Sequence, residues 1–464
     1  MLFYKFIQTF ASVFQTVMWY LKSLKFVRII TLTIVLVFAG SLAIAQQSDT
    51  LKNDWFSIHA QTTVINQFKP VFSVKYSGPN SLLPTQEDKT SITSTLFLGA
   101  RLWKGASIFF DPELAGGYGL SETMGIADAP NGETYRIGNP APEIYIARLF
   151  YRQVFSLSSK QTYQSPDFNQ LGQYLPDTYF SFTIGKIGIT DYFDDNKYSH
   201  DPRTQFMCWS LMDYGSWDYP ANVRGYSPSI ILEFVSPRNE LRYGFSLVPL
   251  TANGSDMNWH ILEANSSSLE YTYRYKLNKR AGTIRLSGFL TTANMGNYKE
   301  SIALDPQDPV IEDTRAYGRT KYGFGINAEQ DINDYAGCFL RAGWSDGNNE
   351  TWAFTEIDRS VSGGISMTGA KWKRKKDNLG IAWVVSGLSK PHRDYLRDGG
   401  DGFILGDGNL NYAWEHLIEF YYSAELVKDH IYLSAAYQSL LNPGYNKDRQ
   451  GPVSIFSLRL HAKI

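Results

Sequence analysis

The chain closes on SIFSLRLHAKI, residues 454–464. Phe456, Leu458, Leu460 and Ala462 form an apolar row at a spacing of two, with Arg459 and His461 threaded between them. Side chains alternate faces along a β-strand, so one face of this segment seeks an apolar surround and the other seeks charge or water. The same alternation recurs upstream. RYGFSLV sets Tyr243, Phe245 and Leu247 against Arg242, Gly244 and Ser246, and EYTYRYKL sets Tyr271, Tyr273, Tyr275 and Leu277 against Glu270, Thr272, Arg274 and Lys276. TIRLSGFL, KYGFGINA, GCFLRAGW and HIYLSAAYQ repeat it. A soluble β-sandwich also alternates, so the connections have to decide.

The pattern predicts sixteen strands, near 57–65, 92–103, 106–110, 143–157, 178–189, 229–235, 241–250, 269–278, 283–292, 320–329, 336–344, 361–372, 378–388, 413–426, 430–439 and 453–464. The gaps between them alternate long and short, with turns such as KG, PRNE, KRAG and KRKKD. One supposedly short connection, 158–177, is too long. Strict alternation of this kind predicts an all-β, transmembrane, antiparallel up-and-down barrel of about 16 strands, with short periplasmic turns and long extracellular loops. Hydrocarbon offers no partner to backbone N–H and C=O groups, so a sheet placed there has to close on itself. On this reading the row Phe456, Leu458, Leu460, Ala462 faces lipid, and Arg459 and His461 face a watery interior. Aromatic residues make up 15% of the chain, with 30 Tyr and 28 Phe, as befits a barrel girdled by rings at both headgroup levels.

The N-terminus reads as a targeting segment. Lys22, Lys25 and Arg28 precede the apolar run IITLTIVLVFAGSLAIA, and Ala43-Ile44-Ala45 offers small residues for cleavage. Residues 1–45 are therefore expected to be a signal peptide, with translation starting at Met1 or Met18, and residues 46–464 a single barrel domain. Removing 1–45 takes away four basic residues and no acidic ones, which leaves a net charge of −5. That charge argues against a basic nucleic-acid binder. Cys208 and Cys338 are the two cysteines, too few for a disulfide framework or a multi-cysteine metal site.

WFSIHAQTT (55–63), TLFLGARLWKGASIFFDPELAGGYGLSETMGIA (95–127), PNGETYRIG (130–138), YSHDPRTQFMCWSLMDYGSWDYPANVRGY (198–226) and NPGYNKDRQGPVSIFSLRLHAKI (442–464) resemble the carbohydrate-selective porin family typified by OprB. The resemblance implies a sixteen-stranded outer-membrane barrel through which small sugars diffuse passively, narrowed by inward side chains and infolded loops. Two departures stand out: Met207-Cys208 precedes Trp209 where a more polar pair is expected, and the chain ends in Ile464 rather than an aromatic residue.

A sugar carries many hydroxyls and little charge, so a filter for it should combine arginine and carboxylate groups with aromatic faces. Strand parity places Arg101 and Trp103 inside, opposite the lipid-facing Leu96, Leu98, Ala100 and Leu102, and it also places Arg242, Arg274, Arg285, Arg341 and Arg459 inside. The loop 111–142 offers Glu113, Glu133 and Arg136 to a constriction. The loop 190–226 offers Asp201, Arg203, Trp209, Trp217, Asp218 and Arg224, either as pore lining or as groups that lock the loop to the wall. The expected partners are neutral sugars, outer-membrane lipid and the barrel-assembly machinery, with a homotrimer left open and nucleic acid excluded.

No cofactor and no catalytic residues are expected. The histidines form no H-E-x-x-H pair, and neither a G-x-S-x-G elbow nor a P-loop occurs. DYFDDN and RDGGDGFILGDGN could bind calcium, but they lack EF-hand spacing and suit a solvated loop equally. The alternatives to a porin are a barrel enzyme, which would need Ser and His together on one outer surface, and a non-transporting envelope or adhesion protein, whose lumen would be apolar.

Overall fold

The computed structural model describes residues 53–134 and 141–464. The expected signal peptide and Arg136 lie outside the described residues. In chain order the strands are β1 (Phe56–Lys69), β2 (Glu87–Trp103), β3 (Ala106–Gly117), β4 (Glu143–Ser156), β5 (Gln161–Gln164), β6 (Gln173–Pro176), β7 (Tyr179–Ile187), β8 (Ser227–Val235) and β9 (Asn239–Leu247). They continue as β10 (Asn265–Leu277), β11 (Arg280–Met295), β12 (Ala316–Asp331), β13 (Ala336–Ser345), β14 (Arg359–Gly369), β15 (Arg374–Gly387), β16 (Glu415–Val427), β17 (Ile431–Leu441) and β18 (Val453–Lys463).

Among the described residues, sixteen of these strands form one closed antiparallel barrel, and β5 and β6 make a separate hairpin. Each expected strand has its counterpart. β2 starts earlier than expected and β3 ends later, because Ser91, Asp111 and Glu113 keep pairing after the apolar row has stopped. β18 closes the sheet on β1, from Gln61 opposite Lys463 to Phe68 opposite Phe456. Ile464 and Ala60 exchange two further backbone hydrogen bonds, 2.9 and 3.1 Å. Closure leaves no unpaired edge.

The outer wall is an apolar band: Leu286, Leu340 and Phe324 are 52%, 54% and 59% exposed. So much contiguous apolar surface is stable against hydrocarbon rather than water. Rings rim the band, with Trp103–Tyr151 (6.0 Å) and Trp372–Tyr422 (6.4 Å) at the short-turn end and Tyr322–Trp344 (5.8 Å) at the long-loop end. Among the described residues no helix is long and apolar enough to cross a membrane.

The bore is largely filled. The loop 188–226 folds down inside the barrel, and an irregular backbone placed there leaves N–H and C=O groups that each cost about 1–3 kcal/mol if unpaired. Wall carboxylates take the N–H groups. Glu419 accepts from Met207 and Cys208 (2.7 and 2.9 Å), Glu270 from Asp194 (2.8 Å) and Glu329 from Lys197 (2.7 Å). Wall arginines take the carbonyls. Arg459 donates to Pro202 and Gln205 (2.7 Å each), and Arg341 donates to Leu211 (3.1 Å) and Asp194 (3.0 Å) while also pairing with the Asp194 carboxylate at 3.0 Å. Wall glycines make room for the loop's rings: a Cβ on Gly337 would lie 1.9 Å from Tyr198 Cζ, and one on Gly325 would lie 2.7 Å from Tyr214 Cδ1.

This corrects the reading of β18. Arg459 and His461 do face inward, but both are buried, and His461 Nδ1 shares a 2.9 Å hydrogen bond with Thr63. They meet the loop and the wall rather than water. The apolar pair Met207-Cys208 is buried in a cluster with Leu120, Ile126 and Leu417, so its departure from the family pattern does not reach the pore lining. Cys208 and Cys338 are free thiols.

The overlong connection 157–178 carries the β5–β6 hairpin, whose tip also enters the barrel. Phe168 stacks on inward Phe97 at 4.4 Å, and Asn169 donates to the buried Asp111 carboxylate at 2.9 Å. Leu171 is fully buried against Phe109, Phe150 and Ile187.

Candidate permeation constriction

With the loop 188–226 packed against β10 and β12–β18 and the hairpin tip filling the lower part beside β1–β3, the remaining charged groups of the inner wall and loops are mostly buried in ion pairs, with Arg152, Arg242 and Arg274 partly exposed. They form two tiers. The lower tier is a zipper of alternating charge: Arg152 pairs with Glu233 (3.1 Å), Glu233 with Arg242 (3.1 Å) and Arg242 with Glu240 (2.9 Å). Arg274 also holds Glu240. Arg242 reaches Glu270 at 3.7 Å, and Arg285 lies 3.4 Å from Glu329 and 3.6 Å from Asp195.

The upper tier centres on Glu113. Its carboxylate accepts from Thr95 (2.5 Å), Tyr226 (3.0 Å), Arg203 (3.2 Å) and Tyr145. Arg203 also donates to Glu133 at 2.8 Å. The Arg224 guanidinium lies 4.2 Å over the Tyr145 ring and bonds Glu143 at 2.6 Å. Arg148 lies 5.0 Å over Tyr226 and grips Asp191 through two bonds, 2.7 and 2.6 Å. Arg148 is also 3.6 Å from Asp111, so the hairpin tip supports this tier from beneath. Two arginine–tyrosine stacks thus converge on one carboxylate, with Tyr145 the partly exposed ring and Glu113 and Tyr226 buried behind it.

The structure brings Glu113, Glu133, Arg203 and Arg224 together here and puts Arg242 in the lower tier. The remaining candidates lie elsewhere. Asp201 holds the Arg203 backbone N–H at 2.9 Å and so positions that arginine. Trp217 stacks on Tyr214 (5.5 Å), and Trp209 on Phe354 (4.6 Å), inside the packed loop. Asp218 accepts the N–H groups of Ala353 (2.7 Å) and Trp352 (2.9 Å), tying loop to loop. Arg101 binds the carbonyl of Asp54 (2.8 Å) and the Gln173 side chain (3.2 Å), anchoring the hairpin at the periplasmic mouth. Trp103 was expected inside and is instead on the outer surface, 57% exposed, because a bulge between Arg101 and Trp103 reverses the parity.

Sequence reasoning missed Asp111, Tyr145, Arg148, Asp191 and Tyr226. Inward parity with Glu113 would have reached Asp111 had β3 been carried past residue 110. A second bulge, between Asp111 and Pro112, hides the register of β4. Among the described residues no cluster of His, Cys, Asp and Glu is arranged to hold a metal ion.

The docked loop carries an acid that titrates. Burial, and next the neighbouring Asp194 carboxylate, push Asp213 up to about 8. A carboxyl whose pKa is higher in the docked loop than in a free chain favours docking while it stays protonated, and that contribution is lost as pH rises through the docked value. Channel noise from loop movement should therefore grow as pH is raised toward 8 and level off above it. Asp213→Asn, neutral throughout, should flatten the profile in single-channel recordings from pH 6 to 9.

A closed, lipid-faced barrel of sixteen strands with a charged, loop-narrowed bore defines an outer-membrane porin. The match to known proteins is specific. The model of the carbohydrate-selective porin family, OprB, covers residues 81–463, and the chain belongs to that family. It is an outer-membrane channel for passive, carbohydrate-selective diffusion of small sugars. The high-pH structure of Pseudomonas putida OprB is similar, with a TM-score of 0.66 at 13% identity over 88% of this chain and 94% of that one. The low-pH structure of the same protein gives 0.48 at 11% identity, covering 88% and 92%. The outer-membrane channel DcaP of Acinetobacter baumannii gives 0.48 at 9% identity, covering 91% and 100%. A comparison with curated protein sequences finds no match.

Proposed function

We propose that the upper tier is the sugar-selecting constriction. The observation that carries this is the pair of stacks, Arg224 on Tyr145 and Arg148 on Tyr226, both tyrosine hydroxyls being bound to Glu113. A pyranose ring can lay its C–H face on the partly exposed Tyr145 while its hydroxyls meet the Arg224 guanidinium and the Glu143 carboxylate at the edge. Such contacts replace water without holding the solute long. The lower tier then offers hydrogen bonds with nearly balanced charge, which favours neutral sugars over ions. Chemistry on the solute plays no part in this reading: the arginines and acids bind and release. The mature chain begins near Gln46, lipid surrounds the barrel, the barrel-assembly machinery inserts it, and a homotrimer is an open assembly state.

Liposome swelling tests the assignment. Protein-bearing vesicles should swell in monosaccharide solutions, and Arg224→Ala should change the rate by about threefold or more, since its ion pair is half-exposed and its loss leaves the barrel folded. Unchanged swelling in this variant would remove the constriction assignment and leave the porin intact.

A further inference from the structure

The permeation path makes no use of a cleft on the outer wall. β14 enters the membrane at Arg359, which shares the lipid-facing parity of Val361 and Ile365. Charge in that row is costly unless it reaches the headgroup layer. Arg359 meets this condition at the long-loop end of the strand, paired with Trp344 across the ladder and stacked over its ring at 4.8 Å. One guanidinium nitrogen is given to the carbonyls of Ser345 and Asp358, which leaves the rest of the fork directed outward. Arg393, from the helix Lys390–Arg397, stacks on Tyr412 at 4.9 Å, and the Tyr412 phenol lies in the field of both arginines.

The nearby acids attract Arg359 through space but are hydrogen-bonded to other groups. Asp358 accepts from Ser389 N–H (2.9 Å) and shares a 3.0 Å hydrogen bond with His392. Asp346 accepts from Tyr322 N–H (3.1 Å) and the Asn348 amide (3.0 Å). Among the described residues neither Arg359 nor Arg393 forms a salt bridge. Immediately toward the membrane from Arg359 lies a cleft of about 500 Å³ walled by Leu286, Phe324, Ile326, Val361 and Trp414, with Ala342 on its floor.

We propose that this is a binding site for a phosphorylated, acylated lipid of the outer leaflet. The two ring-stacked guanidinium groups take phosphate oxygens in forked hydrogen bonds, and an acyl chain fills the cleft. Charge complementarity selects this occupant: a second copy of the barrel would bring its own apolar row to the cleft and no anion to the arginines, whereas the lipid satisfies both.

Native mass spectrometry of the mature protein in detergent tests it, using bis-phosphorylated hexa-acyl lipid A, the same lipid dephosphorylated, and inorganic phosphate as probes. The phosphorylated lipid should be retained at about tenfold lower concentration than its dephosphorylated form. Arg359→Gln combined with Arg393→Gln should abolish that preference, and Ala342→Phe, which fills the cleft, should weaken retention of both lipids while heat-modifiable gel mobility shows a folded barrel. Equal retention of the two lipids by the unaltered protein would overturn the proposal whatever the variants do. So would an undiminished preference in the double variant, displacement of the lipid by inorganic phosphate at equal concentration, or a dimer or trimer that Ala342→Phe dissociates without any lipid present.

Discussion

Replacing residues 158–177 with an Asn-Gly turn should raise single-channel conductance about twofold or more and admit larger sugars, because the hairpin tip is the lower plug of the bore. The graft is geometrically simple: Ser156 already pairs with Tyr179 at the bottom of the β4–β7 ladder, and a two-residue turn suits such a register. What leaves the lumen is Phe168, stacked on Phe97, and Asn169, bound to Asp111. Asp111 keeps Arg148 as its partner, so the wall stays compensated. Planar-bilayer recordings read the result, and an unchanged conductance from a folded barrel would show that solutes never pass the hairpin.

The second large effect is expected at Arg341. Changing it to Met removes one of two donors from each of the Leu211 and Asp194 carbonyls, which Ser199 and Asn327 still serve, and leaves the buried Asp194 carboxylate without its cation and with Asn327 as its remaining side-chain donor, a loss of about 3–5 kcal/mol to loop docking. The barrel ladder is untouched, so the protein should still fold and insert. The loop 188–226 should undock, conductance should rise and become noisy, and externally added protease should cut within that loop. Arg459→Met removes two carbonyl contacts without orphaning a carboxylate ion pair, so its effect should be smaller, about 1–3 kcal/mol. Equal behaviour of both variants and the unaltered channel would show that the loop is held by apolar packing alone.

The barrel was legible because the membrane imposes one pattern on every strand: an apolar residue at alternate positions, with long and short connections in turn. β5 and β6 were missed because QTYQ and QYLP carry no apolar row and are four residues each. Trp103 went to the wrong face because parity counting cannot see a bulge. Arg341 and Arg459 were correctly turned inward, yet nothing in their strands says that the inside there is dry. That fact lives in contacts between wall side chains and the backbone of a distant loop, and backbone N–H and C=O groups are the same in every residue type. Glu113, Glu133, Arg203 and Arg224 could be picked out as polar groups in Gly- and Trp-rich loops, whereas their tyrosine partners on β4 and at the end of the long loop look like any of the other girdle rings.

The sockets that hold the infolded loop also dictate an order of biogenesis. Glu419 and Met207 are 212 residues apart, and Arg459 and Pro202 are 257 apart, so these two docking points do not exist until the last strands have joined the cylinder. The loop's full set of anchors, and with it the final width of the bore, therefore waits on the strands that close the seam.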